Sequence, residues 1–201
     1  MIRALCIAVA AACLAACASA PLRTPEPPVP WPERRAALQA QEAFALSGRV
    51  AVSTPANGFN ASLRWRQAGE VSEVSLDGPL GVGGAEIELR GDDLDLRTSR
   101  GEHLEGEAAH EALLREVGFP LPLAALRYWL RGVPAPGAAA DEVLDEARQR
   151  LTRLVQAGWE IDYAAYLDST ARSAGDMALP RRLEVRHGET RVRLVIDRWL
   201  P

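Results

Sequence analysis

Apolar and polar residues alternate with period two along much of the chain. In Phe59-Asn-Ala-Ser-Leu-Arg-Trp-Arg-Gln67, one side shows Phe59, Ala61, Leu63 and Trp65, and the other Asn60, Ser62, Arg64 and Arg66. Leu46, Val50 and Val52 alternate with Ser47, Arg49 and Ser53. Ala85, Ile87 and Leu89 alternate with Glu86, Glu88 and Arg90, and Leu94 and Leu96 with Asp93, Asp95 and Arg97. Such strands have one buried and one wet face, the pattern of an antiparallel sheet. Gly69, Gly78 and Gly91-Asp-Asp93 mark turns between them.

The period then changes. Ala109, Leu113, Leu114 and Val117 recur at helical spacing, as do Leu123, Leu126, Leu130 and Val133, with Pro120 and Pro122 between the two runs. A short helix is predicted at 33–43. Strands return at 150–157, at Trp159-Glu-Ile-Asp-Tyr163 and at Leu183-Glu-Val-Arg-His187, and in a final strand Val192, Leu194 and Ile196 oppose Arg191, Arg193 and Asp197. Strands, a helical insert and more strands predict an α+β fold, a curved antiparallel sheet with helices on one face. Five of the eleven aromatic residues are tryptophan, and a buried tryptophan on such a sheet serves as core or lines a cavity.

The first sixteen residues break this pattern. Arg3 precedes the apolar run ALCIAVAAACLA (4–15), which is shorter than the ~20 residues of a membrane-spanning helix. Leu14-Ala15-Ala16-Cys17 has the small-residue cleavage pattern with a cysteine beyond it, and resembles the lipobox of bacterial lipoproteins. Residues 1–16 therefore read as a signal peptide, and Cys17 as the lipidation site. In the resembling proteins the thiol receives a diacylglyceryl group and the new amine is acylated. At ~0.8 kcal/mol per buried CH₂, three chains form a lasting anchor where one would be marginal. Residues 17–32, with six prolines from Pro21 to Pro32, form an extended tether. Residues 33–201 form one domain. Ala18 follows Cys17; in enterobacterial lipoproteins an aspartate there retains the protein at the inner membrane, so alanine favours the outer one.

Loss of the leader would remove Cys6, Cys13 and Arg3, taking the net charge from −4 to −5. A single remaining cysteine forms no intramolecular disulfide, and a mildly acidic chain is a poor binder of nucleic acid. Catalytic equipment is thin. The chain has no lysine, which excludes a phosphate-binding P-loop. His103, His110 and His187 lack zinc-site spacing, and no Gly-x-Ser-x-Gly elbow occurs. Asp92, Asp93 and Asp95 fit a turn and a wet strand face. No catalytic residue, metal or cofactor is expected.

Several motifs occur in order behind the lipobox: Gly48-Arg-Val-Ala-Val52, Trp65-x-Gln67, Gly78-Pro-Leu-Gly81, Gly118-Phe-Pro-Leu-Pro122, Leu126-Arg-Tyr-Trp-Leu-Arg-Gly132, Gln156-Ala-Gly-Trp159 with Tyr163, and a closing Trp199. From Trp31 to Trp199 the chain resembles the LolB family, outer-membrane receptors of the lipoprotein localisation pathway. The sister LolA carriers share the fold but are not lipidated.

That resemblance implies an incomplete antiparallel β-barrel closed by an α-helical lid around an apolar cavity. It implies a receptor that accepts acylated lipoproteins from a periplasmic LolA-like carrier, shelters their acyl chains and inserts them into the outer membrane without nucleotide hydrolysis. The protein would be a monomer, lipid-anchored, with its domain facing the periplasm. The family's membrane-delivery loop, with its exposed leucine, maps to Pro79, Leu80 and Gly81. The apolar faces of the long strands and lid offer Val50, Val52, Leu63, Trp65, Leu126, Trp129, Leu130, Trp159, Tyr163, Leu194 and Ile196 as cavity residues, while Arg49 falls on the polar face. The competing expectation is a structural or assembly lipoprotein of the outer membrane that binds a protein partner and carries no lipid.

Overall fold

The computed structural model describes residues 28–79, 83–117, 122–167 and 177–200. The leader, Cys17, most of the tether, and Leu80 and Gly81 lie outside the described residues.

Helix α1 (Trp31–Gln39) opens the described chain with a proline in its first turn, where a missing N–H costs nothing. It is shorter than the 33–43 predicted. The buried Arg131 donates to the carbonyls of Leu38 and Gln41 just past its end, and the backbone then extends into a strand.

Eleven strands follow: β1 (Ala43–Ser53), β2 (Gly58–Ala68), β3 (Val71–Asp77), β4 (Gly84–Arg90), β5 (Asp93–Thr98), β6 (His103–Glu105), β7 (Ala140–Asp145), β8 (Arg150–Gln156), β9 (Trp159–Tyr166), β10 (Pro180–His187) and β11 (Thr190–Leu200). Helices α2 (Gly106–Val117) and α3 (Leu123–Trp129) sit between β6 and β7. The strands form one sheet in the order β6-β5-β4-β3-β2-β1-β11-β10-β9-β8-β7, and every pairing is antiparallel. The chain starts in the middle, zigzags out to β6, crosses through α2 and α3 to the far edge at β7, and zigzags back to place β11 beside β1. The sheet stays open, because β6 and β7 are its two edges. The α+β, incomplete-barrel expectation is met.

Period-two burial holds along β1 and β2, and their apolar faces join one core with Ile87, Leu94, Leu151, Ile161, Leu183, Val192 and the helix residues Ala109, Leu123 and Leu126. The seam between β1 and β11 carries a register shift at Ser47/Gly48. There a Cβ on Gly48 would lie 2.2 Å from the Val195 carbonyl oxygen, so only glycine fits.

Sequence periodicity missed three strands. In β3 the buried position between Val71 and Val74 is filled by Ser72, which donates to Gln67 Oε1 at 2.6 Å; a satisfied polar residue faces inward and breaks the pattern. Strand β6 is three residues long, and the edge strand β7 is acidic. The second predicted helix also ends earlier than its spacing suggested, at Trp129. Gly132 takes φ +77°, a left-handed conformation open to glycine, and Leu130 and Val133 are fully buried in that turn.

Candidate functional site

The apolar face of the sheet, which the helical insert joins, is where buried residues from every long strand converge. All eleven predicted cavity residues lie in the single buried core there. Trp129, Leu130 and Ile196 have no exposed surface at all. Two tryptophans are seated by polar partners: Trp65 Nε1 donates to Gln67 Oε1 at 3.1 Å, and Trp129 Nε1 to Gln156 Oε1 at 2.8 Å. Gln156 also accepts from the Ala135 N–H and donates to the Ala135 carbonyl, both at 2.8 Å, so one side chain joins α3, the following loop and β8. Tyr163 donates to the Trp129 carbonyl at 2.9 Å, and burial pushes its hydroxyl pKa well up. It stays a neutral donor in the physiological range. These residues hold the lid segment to the sheet.

A third contact does the same from the turn just past α3. Arg131 is 2% exposed and donates to three carbonyls, those of Arg127, Leu38 and Gln41. Its guanidinium carbon also lies 5.2 Å from the ring centres of both Phe44 and Tyr128. Burial lowers its pKa to about 10, which leaves it charged at neutral pH. A buried charge is tolerated where its donors are satisfied, and here they bind α3, α1 and β1 into one unit.

Open space appears away from these anchors. A pocket of about 290 Å³ lies between α2, the start of α3 and the β4–β5 hairpin. Leu89, Leu94, Leu113, Leu114, Pro122 and Leu123 supply its apolar wall, while Asp92, Glu107, His110 and Glu111 stand among its polar lining residues. Sequence reasoning did not assign these leucines to a cavity. A signal was present in adjacent Leu113 and Leu114, since two neighbouring helix positions do not face one core equally. Leu113 is buried, while Leu114 is 45% exposed.

A second pocket, about 570 Å³, lies on the outer face, where β11, β1 and β2 meet the start of the β3–β4 connection. Arg49, Asn60, Ser62, Arg193 and Pro79 line it, and Val50 is the one predicted cavity residue that contributes to either pocket. Arg49 faces outward, as alternation predicted, and pairs with Asp197 at 3.0 Å. Pro79 is exposed at the foot of the loop expected to deliver cargo.

Among the described residues, one group of ligand-type atoms converges: Asp95, His103 and Glu105, within 4.8 Å of one another on β5 and β6. Arg97 Nη2 sits 3.1 Å from the Asp95 oxygen that also meets His103 at 2.8 Å. A guanidinium thus already occupies the space a cation would take, and the group reads as a surface ion-pair cluster. No helix among the described residues is long and apolar enough to cross a membrane.

Comparison with known proteins follows the same lines. A family profile described as "Outer membrane lipoprotein LolB" matches residues 42–199. The chain is 36% identical over 197 residues to a protein of Alkalilimnicola ehrlichii named outer-membrane lipoprotein LolB, covering 98% of this chain and 96% of that one. It is 37% identical to the protein of the same name from Nitrosococcus oceani, covering 89% of each. Among solved structures, the fold resembles a LolA superfamily protein from Nitrosomonas europaea, with a TM-score of 0.50 at 11% identity, covering 86% of this chain and 96% of that one. It also resembles a putative outer membrane lipoprotein-sorting protein domain from Vibrio parahaemolyticus, with a TM-score of 0.51 at 10% identity, covering 84% and 89%.

Proposed function

The chain belongs to the LolB family of outer-membrane lipoproteins, and from that premise we propose that it is a receptor for acylated lipoproteins. It takes them from a soluble periplasmic carrier, shelters their acyl chains beneath α2 and α3, and passes them into the outer membrane. The chain is itself anchored there by lipid on Cys17, with its domain facing the periplasm.

The observation that carries this reading is the leucine-walled pocket between the helical insert and the β4–β5 hairpin. Ligand pockets usually enclose ~300–1,000 Å³, so 290 Å³ suffices for part of one acyl chain and not for three. Loading therefore requires α2 and the start of α3 to lift from the sheet. The end of α3 stays pinned by Gln156, Tyr163 and Arg131, while α2 follows directly on the edge strand β6, so the lid can hinge there without straining the sheet.

Direction follows from energetics alone. Acyl chains moved into water cost ~0.8 kcal/mol per CH₂, so they pass from one apolar site to another without an intermediate aqueous stage. In this scheme transfer runs downhill, the receptor holding the chains more tightly than the carrier and the bilayer more tightly still.

The test is transfer by simple mixing. The receptor, incubated with a carrier preloaded with a triacylated lipoprotein and no nucleotide, is expected to form a one-to-one cargo complex and to empty the carrier. Cargo remaining on the carrier would defeat the receptor reading and leave a lipoprotein that binds a protein partner.

A further inference from the structure

The outer-face groove has no part in sheltering acyl chains, yet its position and chemistry are specific. The pairing register lays two rows across the sheet there: Arg193, Ala51 and Asn60 in one, and Val195, Arg49, Ser62 and Asp77 in the next. Ala51 and Ser62 are small, so the floor between the two arginines and the Asp77–Pro79 wall is low. The result is a furrow of about 570 Å³ flanked by two guanidinium groups and lined by an amide and a hydroxyl.

We propose that this furrow seats the phosphodiester headgroup of a membrane phospholipid, with Arg49 and Arg193 as its anion-binding pair. The inference rests on the receptor reading and on the delivery role that the family resemblance implies for Leu80, which would put that leucine at the hydrocarbon edge. Leu80 lies three residues beyond Asp77, a span of at most ~11 Å of chain. The polar layer on each side of a bilayer is ~5–8 Å thick. With Leu80 at the hydrocarbon boundary, the Asp77 wall of the furrow lies within ~11 Å of it, within or just outside the layer of lipid phosphates.

The arginines are free enough to take such a ligand. Arg49 meets Asp197 and Arg193 meets Glu184, the latter at 2.7 Å, and both arginine side chains are at least 60% exposed. The Arg49–Asp197 pair is an exposed one that contributes little. Glu184, 22% exposed, is shared with Arg186 and Arg191 and so keeps partners when Arg193 turns away. A guanidinium fork matches a phosphate better than it matches a single carboxylate oxygen. Asp77, on the opposite wall, is held by Arg64 at 3.0 Å, which offsets its charge toward an incoming phosphate.

The full lipidated chain in phosphatidylglycerol vesicles provides the test. A nitroxide on Asn57→Cys, at the exposed β1–β2 turn beside the furrow, should enhance ³¹P relaxation of the lipids. The Arg49→Gln/Arg193→Gln variant should lose at least about half of that enhancement. Cargo delivery gives a second readout. With two charge-assisted contacts removed, the variant should deliver cargo roughly fivefold more slowly or worse into phospholipid vesicles, and at the native rate into vesicles of an uncharged, phosphate-free glycolipid. Equal relaxation in native and variant proteins, or equal slowing in both vesicle types, would overturn the proposal. Uptake from the carrier is scored separately: its failure in the native chain counts against the receptor reading, while the relaxation readout, which needs no cargo, still decides the headgroup seat.

Discussion

Gly48 shows how one residue can hold two halves of a sheet together. It sits at the register shift where β1 meets β11, and any Cβ there collides with the Val195 carbonyl. Backbone cannot yield as a flexible side chain would, so Gly48→Ala should force the seam apart and cost roughly 1–3 kcal/mol, as overpacking does. Thermal unfolding measures this, and an unchanged melting temperature would show that the seam relaxes freely. Leu80, outside the described residues, is proposed to be of the opposite kind, an exposed loop tip. An exposed loop residue contributes little to folding, and Leu80→Glu should leave stability within ~0.5 kcal/mol. It should also leave uptake from the carrier intact while incorporation into liposomes falls, because a charge is expensive near hydrocarbon. Loss of stability, uptake and incorporation together would identify Leu80 as a packing residue and end the delivery role.

At the scale of elements, α2 separates packing from capture within two adjacent positions. Leu113 is buried against the sheet and Leu114 is 45% exposed at the same pocket. Leu113→Ala should therefore cost ~2–5 kcal/mol and lower every activity with the melting point. Leu114→Glu should leave the melting point nearly unchanged and slow cargo uptake. Identical behaviour of the two variants would remove the pocket from the transfer route. The sequence was informative about faces and poor about space. Alternation placed Val50, Leu63 and Trp65 inside and Arg49 outside, because period two follows directly from strand geometry. Whether an inward residue borders a void depends on what packs opposite. Trp129 and Leu130 turned out fully buried, held by Gln156 and Tyr163 from strands far along the chain, and no local pattern contains that. Strand β3 was hidden for a similar reason, its inner Ser72 being satisfied by Gln67 from the neighbouring strand.

At the scale of the whole molecule, the proline-rich segment ahead of Trp31 is proposed to act as a leash on the domain. Trp31 is where the leash ends: it is buried, its indole N–H donates to Glu142 Oε2 at 2.7 Å, and its backbone N–H to Gln149 Oε1 at 2.9 Å. Pull on such a leash would be delivered to the β7–β8 hairpin, away from the pocket at the β4–β5 hairpin. The proposed anchor itself is checked by mass spectrometry of the protein from membranes, which should show an acylated Cys17 at the N-terminus; an N-terminus at Met1 or Ala18 would exclude it. The strand order has a further consequence, for the making of the protein. Of the described strands β11 is the last to be synthesised, yet it lies at the centre of the sheet beside β1. Until Thr190–Leu200 emerges, β1 presents an unpaired edge and the two zigzag halves lack the strand that pairs them into one sheet. A nascent or prematurely ended chain therefore exposes two sticky borders where the finished one has a seam. Such long-range closure is slow to find, so chaperones and proteases should meet this protein mainly as an unsealed intermediate, and its half-life in the cell should be decided in the interval before that final strand docks.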